Sequence, residues 1–214
     1  RFIGPYAVYI TKSGNALQVL IGTTNPSKLR MFREWLGEYP VELVTLLDLG
    51  ITDEPTETGN TPTENARLKA EYYGRFADYC ICQDSGLFLD ALPLDDPRQP
   101  GLHIRTPQGI RLDDEEMIAY YSALAGTLGG KAMAYYLDGF AVKTPAGIST
   151  YMKTPEEARS GAFWLTDKPH EKRRPGWSLD SISLMPDGSY FLDNRYKLKS
   201  KPCNDTNTKK AWVR

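Results

Sequence analysis

The chain has 214 residues, of which 41% are hydrophobic and 25% charged, and this composition excludes an intrinsically disordered protein. A formal net charge of -1 excludes a general attraction to nucleic acid polymers or anionic membranes, so any phosphate ligand must be held locally. Three cysteines and two distant histidines argue against a disulfide framework, a zinc site and a Ser-His-Asp triad. We find no membrane-spanning stretch and no signal-peptide pattern, and therefore expect a cytoplasmic protein.

A strand, a loop and a helix are predicted first along the chain. Leu17–Ile21 is an apolar, strand-like run, and Asn25 and Pro26 are typical of a helix N-terminus, which places Lys28 in the first helical turn. Backbone N–H groups at a helix N-terminus favour a bound anion. The candidate phosphate-binding residues of this loop are Thr23, Thr24, Asn25 and Lys28. The alternative is that Asn25 only caps the helix and Lys28 is solvated.

A second strand is predicted at 42–47, followed by a loop over 48–60 and a second helix. This helix begins with a capping box formed by Thr61 and Glu64, and Pro62 occupies its first position.

Two charged side chains of this region are site candidates. Glu57 lies in a Thr/Gly-rich loop before the capped helix and is a reasonable Mg²⁺ ligand if it faces phosphates. Lys69 shares a helix face with Asn65 and could reach the same phosphates. The alternative for both charges is a solvated surface position.

A short buried strand is predicted at 79–82, which places Gln83 and Asp84 at its C-terminal end, where open α/β sheets usually bind ligands. A carboxylate there needs a cation or hydrogen bonds, so Asp84 is a candidate to hold a metal or to activate water. The alternative is that Asp84 makes a turn with Ser85 and Gly86.

The second half of the chain is predicted to contain a Pro-rich excursion over 93–109, a helix capped by Asp113, and a hairpin of the strands 132–143 and 148–152.

Near the C-terminus, two strand-like segments, 182–184 and 190–192, flank a turn. Upstream of them, Trp177 could stack on a base while Asp180 hydrogen-bonds it. The alternative is a Trp buried in the core.

Three of these stretches resemble the inosine triphosphate pyrophosphatase family of non-canonical purine nucleoside triphosphate pyrophosphatases. The matching motifs are T-x-N-x-x-K at Thr23–Lys28, ETG-x-T-x-x-EN-A-x-x-KA at Glu57–Ala70 and DSGL at Asp84–Leu87. Weaker matches are Pro100-Gly101 with Arg105, and Gly176–Asp180 in place of a GFGYD segment.

The resemblance implies an elongated mixed α/β sheet with flanking helices, two lobes around a nucleotide cleft, and a homodimer. It implies one domain over 17–214 after an extension of residues 1–16, with hydrolysis of a nucleoside triphosphate to monophosphate and pyrophosphate. Asp84 would orient or deprotonate the attacking water, and with Glu57 it would hold Mg²⁺. The resemblance implies that Asn25, Lys28 and Lys69 bind the triphosphate, that Thr23, Thr24 and Ser85 contact substrate, and that Trp177, Asp180 and Lys201 face the base.

The chain departs from the family pattern at two places. Gln83 stands where the family has an acid, which predicts weaker metal binding. Asn207-Thr208 falls near the position where the family has a closing His-Arg. These differences keep two alternatives open: the same chemistry retuned to another or modified nucleotide, and a nucleotide-binding or regulatory protein that has lost catalysis.

Overall fold

The computed structural model describes residues 17–198, which form seven strands and five helices. The strands are β1 (Leu17–Ile21), β2 (Val41–Thr45), β3 (Cys80–Leu89), β4 (Lys131–Thr144), β5 (Gly147–Met152), β6 (Phe163–Thr166) and β7 (Ser183–Leu184). The helices are α1 (Pro26–Leu36), α2 (Pro62–Tyr73), α3 (Asp114–Thr127), α4 (Pro155–Arg159) and α5 (Phe191–Leu198), and two 3-10 turns cover Pro107–Gly109 and Ser178–Ile182. The described chain divides into unit 1, residues 17–85 and 138–153, and unit 2, residues 86–137 and 154–198.

Unit 1 is built on a mixed sheet. β1 pairs in parallel with β2 and with β3, and β4 and β5 form an antiparallel hairpin from Gly139↔Met152 to Thr144↔Gly147. The strand order is β2-β1-β3-β4, with β5 also paired to β4. The predicted strand-loop-helix and hairpin are therefore confirmed.

The two faces of this sheet are covered by different helices. One buried cluster joins Ile21 and Ile81 to Phe32 of α1, and another joins Leu20 to Ala66 of α2. Because successive side chains of a strand point to opposite faces, α1 and α2 pack on opposite faces of the parallel strands. Both helix N-termini then lie beside the sheet that carries Asp84.

Gly139 of β4 allows the sheet to approach the start of α2. A Cβ atom at this position would lie 2.3 Å from the backbone nitrogen of Thr63 and 2.4 Å from the carbonyl carbon of Pro62. Backbone atoms cannot yield as a flexible side chain can, so only glycine fits here. The contact fixes the N-terminal turn of α2 against β4.

Unit 2 combines the end of β3, the first half of β4, and β6 and β7 with α3. β6 pairs in antiparallel fashion with β4 and β7, and α3 is capped by Asp113 through a capping box with Glu116, as the helix prediction requires. Its core is the largest group of buried apolar side chains in the described residues, including Leu87, Tyr121 and Phe163.

Two strand predictions are wrong. β3 does not end at Cys82 but continues to Leu89, so Asp84 lies within a strand and does not make a turn with Ser85 and Gly86. The strand continues because the N–H and C=O of Leu87 both pair with Gly101 and the last residue of the strand, Leu89, is buried. The segment 190–192 forms only an isolated bridge at Tyr190 before α5 begins at Phe191.

One strand boundary and one helix cap also differ in detail. β2 ends at Thr45, because the Asp48 side chain accepts hydrogen bonds from the N–H and the hydroxyl of Thr45 and turns the chain. The predicted capping box of α2 is half formed: Thr61 caps the N–H of Glu64, but the Glu64 carboxylate accepts from the N–H of Asn60.

No helix within residues 17–198 is long and apolar enough to cross a membrane. The predicted extension, residues 1–16, lies outside the described part of the chain, and the assignment of one domain to 17–214 stays a prediction.

Candidate active site

The loop between β1 and α1 is held by its own side chains. The Asn25 side chain accepts from the N–H of Ser27 at 2.8 Å, and the Thr23 hydroxyl accepts from the N–H of Asn25 at 3.1 Å. Thr24 donates to Glu54 at 2.9 Å. The carboxamide oxygen of Asn25 therefore caps the helix. No acidic residue occupies the first turn of α1, so its N-terminus keeps its preference for an anion.

Lys28 is directed into the site and is not solvated. Its ammonium donates to the carbonyl of Gln83 at 3.1 Å and lies 3.8 Å from an Asp84 oxygen. Burial and the charge of Lys69 lower the pKa of Lys28, and the nearby carboxylates, Asp84 first, partly offset this effect. A mostly buried lysine beside a helix N-terminus is well placed to bind a phosphate group.

Lys69 of α2 joins two carboxylates. Its ammonium lies 2.6 Å from a Glu57 oxygen and 3.4 Å from an Asp84 oxygen. Burial alone would lower the pKa of Lys69, but the charge of Asp84 and the hydrogen bond and charge of Glu57 outweigh burial and raise it. The solvated alternative is therefore wrong for Lys69, while Glu57 remains 41% exposed.

Asn65 orients Asp84 and is a functional candidate that the sequence did not single out. Its amide nitrogen donates to an Asp84 oxygen at 3.0 Å, and its carbonyl oxygen accepts from the N–H of Gly59 at 2.8 Å. The structure thus brings Lys28, Glu57, Lys69 and Asp84 together, with Asn65 fixing one Asp84 oxygen. The pairing of Asn65 with Lys69 on one helix face was the available signal.

A second polar cluster is formed by the two residues of β3 that flank Asp84, together with a carboxylate of β4. Gln83 Nε2 donates to Ser85 Oγ at 2.5 Å and to Asp138 Oδ1 at 2.9 Å, and Ser85 Oγ donates to the same Asp138 oxygen at 2.8 Å. The ammonium of Lys153 lies 3.1 Å from Asp138 Oδ2. Sequence reasoning missed Asp138 and Lys153, although a charged residue in the apolar run of β4 is unusual and could have identified Asp138.

The oxygen ligands of the site fit a magnesium ion that is only partly coordinated by protein. Oxygens of Glu57 and Asp84 converge on one cation, the ammonium of Lys69, and Mg²⁺ is commonly held by one or two carboxylates, the remaining positions being filled by phosphates and water. Within residues 17–198 no group of three or more acidic, histidine or cysteine side chains could hold a metal by itself. Glu57 and Asp84 are the two carboxylates that could hold such an ion.

Trp177 and Asp180 lie in unit 2 and share a partner. The guanidinium of Arg174 stacks 3.8 Å from the ring centroid of Trp177 and lies 3.0 Å from an Asp180 oxygen. Trp177 is half-buried and is not part of the core cluster of unit 2. Burial raises the pKa of Asp180 to about 6, and the charge of Arg174 offsets part of this shift. Lys201, the third predicted base contact, lies outside the described residues.

The sequence is similar to a known protein family and to individual proteins. The model of the Ham1 family matches residues 19–151. The dITP/XTP pyrophosphatase of Bacillus subtilis is 31% identical over 172 residues, 79% of this chain and 81% of that protein. The dITP/XTP pyrophosphatase of Thermoanaerobacter pseudethanolicus is 38% identical over 88 residues, so that this match spans only 41% of this chain and 42% of that relative.

Solved structures show the same fold. The Ham1 protein of Staphylococcus aureus superimposes with a TM-score of 0.64 at 21% identity, covering 92% of this chain and 97% of that one. A HAM1 protein from Coxiella burnetii gives a TM-score of 0.66 at 20% identity, covering 92% and 98%. The predicted mixed α/β fold with flanking helices is confirmed.

Proposed function

The chain belongs to the Ham1 family, also called the inosine triphosphate pyrophosphatase family, and on this premise we propose that it hydrolyses nucleoside triphosphates to monophosphates and pyrophosphate. The observation that carries the proposal is the fixed Asp84 carboxylate, with one oxygen on Asn65 and the other facing the ammonium groups of Lys69 and Lys28. Relatives named dITP/XTP pyrophosphatases support non-canonical purine triphosphates as substrates.

Substrate phosphates can compete with the carboxylates of the site for the two lysine ammonium groups. The two positive charges of Lys28 and Lys69 face the two negative charges of Asp84 and Glu57. A triphosphate bound at the N-terminus of α1 offers these lysines oxygen partners of higher charge. The Asp84 and Glu57 oxygens are then released from the lysines for other partners.

The released Asp84 oxygen is the group that orients or deprotonates the attacking water, while Asn65 holds the other oxygen in place. Glu57 and Asp84 are the residues that would hold Mg²⁺, which when bound neutralises phosphate charge. Thr23 and Thr24 are proposed phosphate contacts, and Asn25 contributes by organising the N-terminus of α1.

Other predictions remain proposals. We propose Trp177, Asp180 and Lys201 as base contacts, and a magnesium-dependent, cytoplasmic homodimer that binds neither nucleic acid polymers nor membranes. The base that the enzyme prefers distinguishes two hypotheses: removal of damaged purine nucleotides, and the same reaction retuned to another or modified nucleotide.

The test is pyrophosphate release from canonical, deaminated and modified nucleoside triphosphates with Mg²⁺ and with a chelator. We expect a preference for dITP, ITP or XTP and no release with the chelator. Asp84→Asn should lower kcat by at least ~100-fold, the loss typical of a positioned base. Glu71→Gln is the matched control, because it removes a carboxylate from an exposed ion pair with Arg67. Tight nucleotide binding without any release would instead favour the regulatory alternative.

A further inference from the structure

The residues on either side of Asp84 are fixed by a carboxylate from another strand. Because side chains alternate along a strand, Gln83 and Ser85 share the face of β3 that carries Ile81, and Asp84 lies on the opposite face. Asp138 Oδ1 accepts from both Gln83 and Ser85 and so ties together the two immediate neighbours of the proposed catalytic residue.

The direction of these hydrogen bonds is determined by Asp138. An ionised carboxylate can only accept, so the Gln83 amide must present its nitrogen and the Ser85 hydroxyl must give its proton to Asp138. Ser85 Oγ also accepts from Gln83, which leaves it one acceptor position and no donor for a ligand. The Ser85 contact with substrate is therefore one in which Ser85 accepts, as from a water molecule or a sugar hydroxyl.

This arrangement leaves one buried group unsatisfied. Gln83 is only 3% exposed, and its Oε1 has no hydrogen-bond partner among residues 17–198. Buried polar atoms without partners are rare in folded proteins and call for an explanation. The explanation here is that both amide hydrogen bonds of Gln83 are committed to Asp138 and Ser85, which dictate its orientation.

Asp138 also provides charge at this point. Residue 83 is a neutral amide, where the family resemblance has an acid, and the Asp138 carboxylate lies 2.9 Å from that amide nitrogen. The ion pair with Lys153 holds the carboxylate from its other oxygen.

Resting on the proposed pyrophosphatase activity, we propose that Asp138 is a positioning residue of the active site, which orients Ser85 and Gln83 around Asp84 and supplies the negative charge that residue 83 lacks. We expect its effect on turnover, because its hydrogen bonds go to the two residues that flank Asp84.

The test is an exchange of charge between residues 83 and 138. Wild type is compared with Asp138→Asn, Gln83→Glu and the double variant for kcat and KM with dITP, for pyrophosphate binding and for Tm. In the double variant the amide and the carboxylate trade places, so the three hydrogen bonds can re-form with their direction reversed and one negative charge kept. Glu71→Gln again controls for the loss of a carboxylate in unit 1.

We expect Asp138→Asn to lower kcat about 10- to 100-fold, a loss typical of small displacements in an active site, with KM and pyrophosphate affinity within about threefold of wild type. Gln83→Glu should also have a lower kcat, because the new carboxylate at position 83 would face the carboxylate of Asp138. The double variant should recover kcat to within about threefold of wild type, whatever its Tm.

Three results would overturn the proposal. The first is a normal kcat for Asp138→Asn in a preparation whose wild type is active, which leaves the proposed function intact. The second is a double variant whose kcat is no higher than that of the worse single variant. The third is a loss of kcat that is fully accounted for by the fraction of unfolded protein. If wild type releases no pyrophosphate from any nucleotide, the proposed function itself fails, and the failure is recognised because it precedes any mutation.

Discussion

Replacing Asn65 with alanine should destabilise the protein and misalign Asp84. The change removes a hydrogen bond to a carboxylate, at 3.0 Å, and one to the N–H of Gly59, at 2.8 Å. Hydrogen bonds to charged groups contribute about 1.5–3 kcal/mol and neutral ones about 1 kcal/mol, so the free energy of unfolding should fall by roughly 2.5–4 kcal/mol. For a chain of this size that corresponds to a Tm lower by roughly 5–15 °C.

The catalytic consequence follows from the same contact. With Asn65 gone, one Asp84 oxygen has lost its donor and the other still faces Lys69, so the carboxylate can rotate toward the lysine. We expect kcat to fall about 10- to 100-fold with a smaller change in KM. Asn65→Asp separates the two hydrogen bonds, because it keeps an acceptor for Gly59 but places a second carboxylate next to Asp84, and should lose at least as much kcat.

The assay combines thermal unfolding with steady-state pyrophosphate release below the Tm of every variant. Asn60→Ala is the matched control, since Asn60 is an exposed residue of the same loop. Unchanged Tm and kcat in Asn65→Ala would refute the reasoning that Asn65 orients Asp84. A lower Tm with wild-type kcat would leave Asn65 a structural residue only.

Two further predictions concern stability. Gly139→Ala forces a methyl group against the backbone of Thr63 and should lower the free energy of unfolding by about 1–3 kcal/mol, measured by urea titration. An unchanged urea midpoint would argue against the close approach of β4 to α2. Asp180 holds its proton more tightly in the folded state, with a pKa of about 6 against a usual 3.8, because of burial. Its contribution to stability is present below pH 4 and is lost as pH rises through 6, so the stability of wild type relative to Asp180→Asn should fall between about pH 4 and 6. A pH-independent difference in urea unfolding would contradict the raised pKa.

Local patterns in the sequence predicted most of the elements that carry the site. Asn25 and Thr61 cap the predicted helices, each followed by proline, and these are interactions between residues close in sequence. The motifs containing Lys28, Lys69 and Asp84 were identified as candidates, and the structure brings them together. The end of β3 was predicted wrongly because its continuation depends on pairing of Leu87 with Gly101, which adjacent residues do not encode.

The sequence by itself determined the family, the strand-loop-helix units and the chemical types of the candidate ligands, because capping, periodicity and motif order are properties of neighbouring residues. Only the tertiary structure decided which partners those ligands have. Asp84 acquires Asn65 as its donor and Lys69 as its counter-ion, and Gln83 acquires Asp138, through the packing of α2 and β4 beside β3. Distances between residues far apart in sequence, and with them burial and charge balance, exist only once the chain has folded.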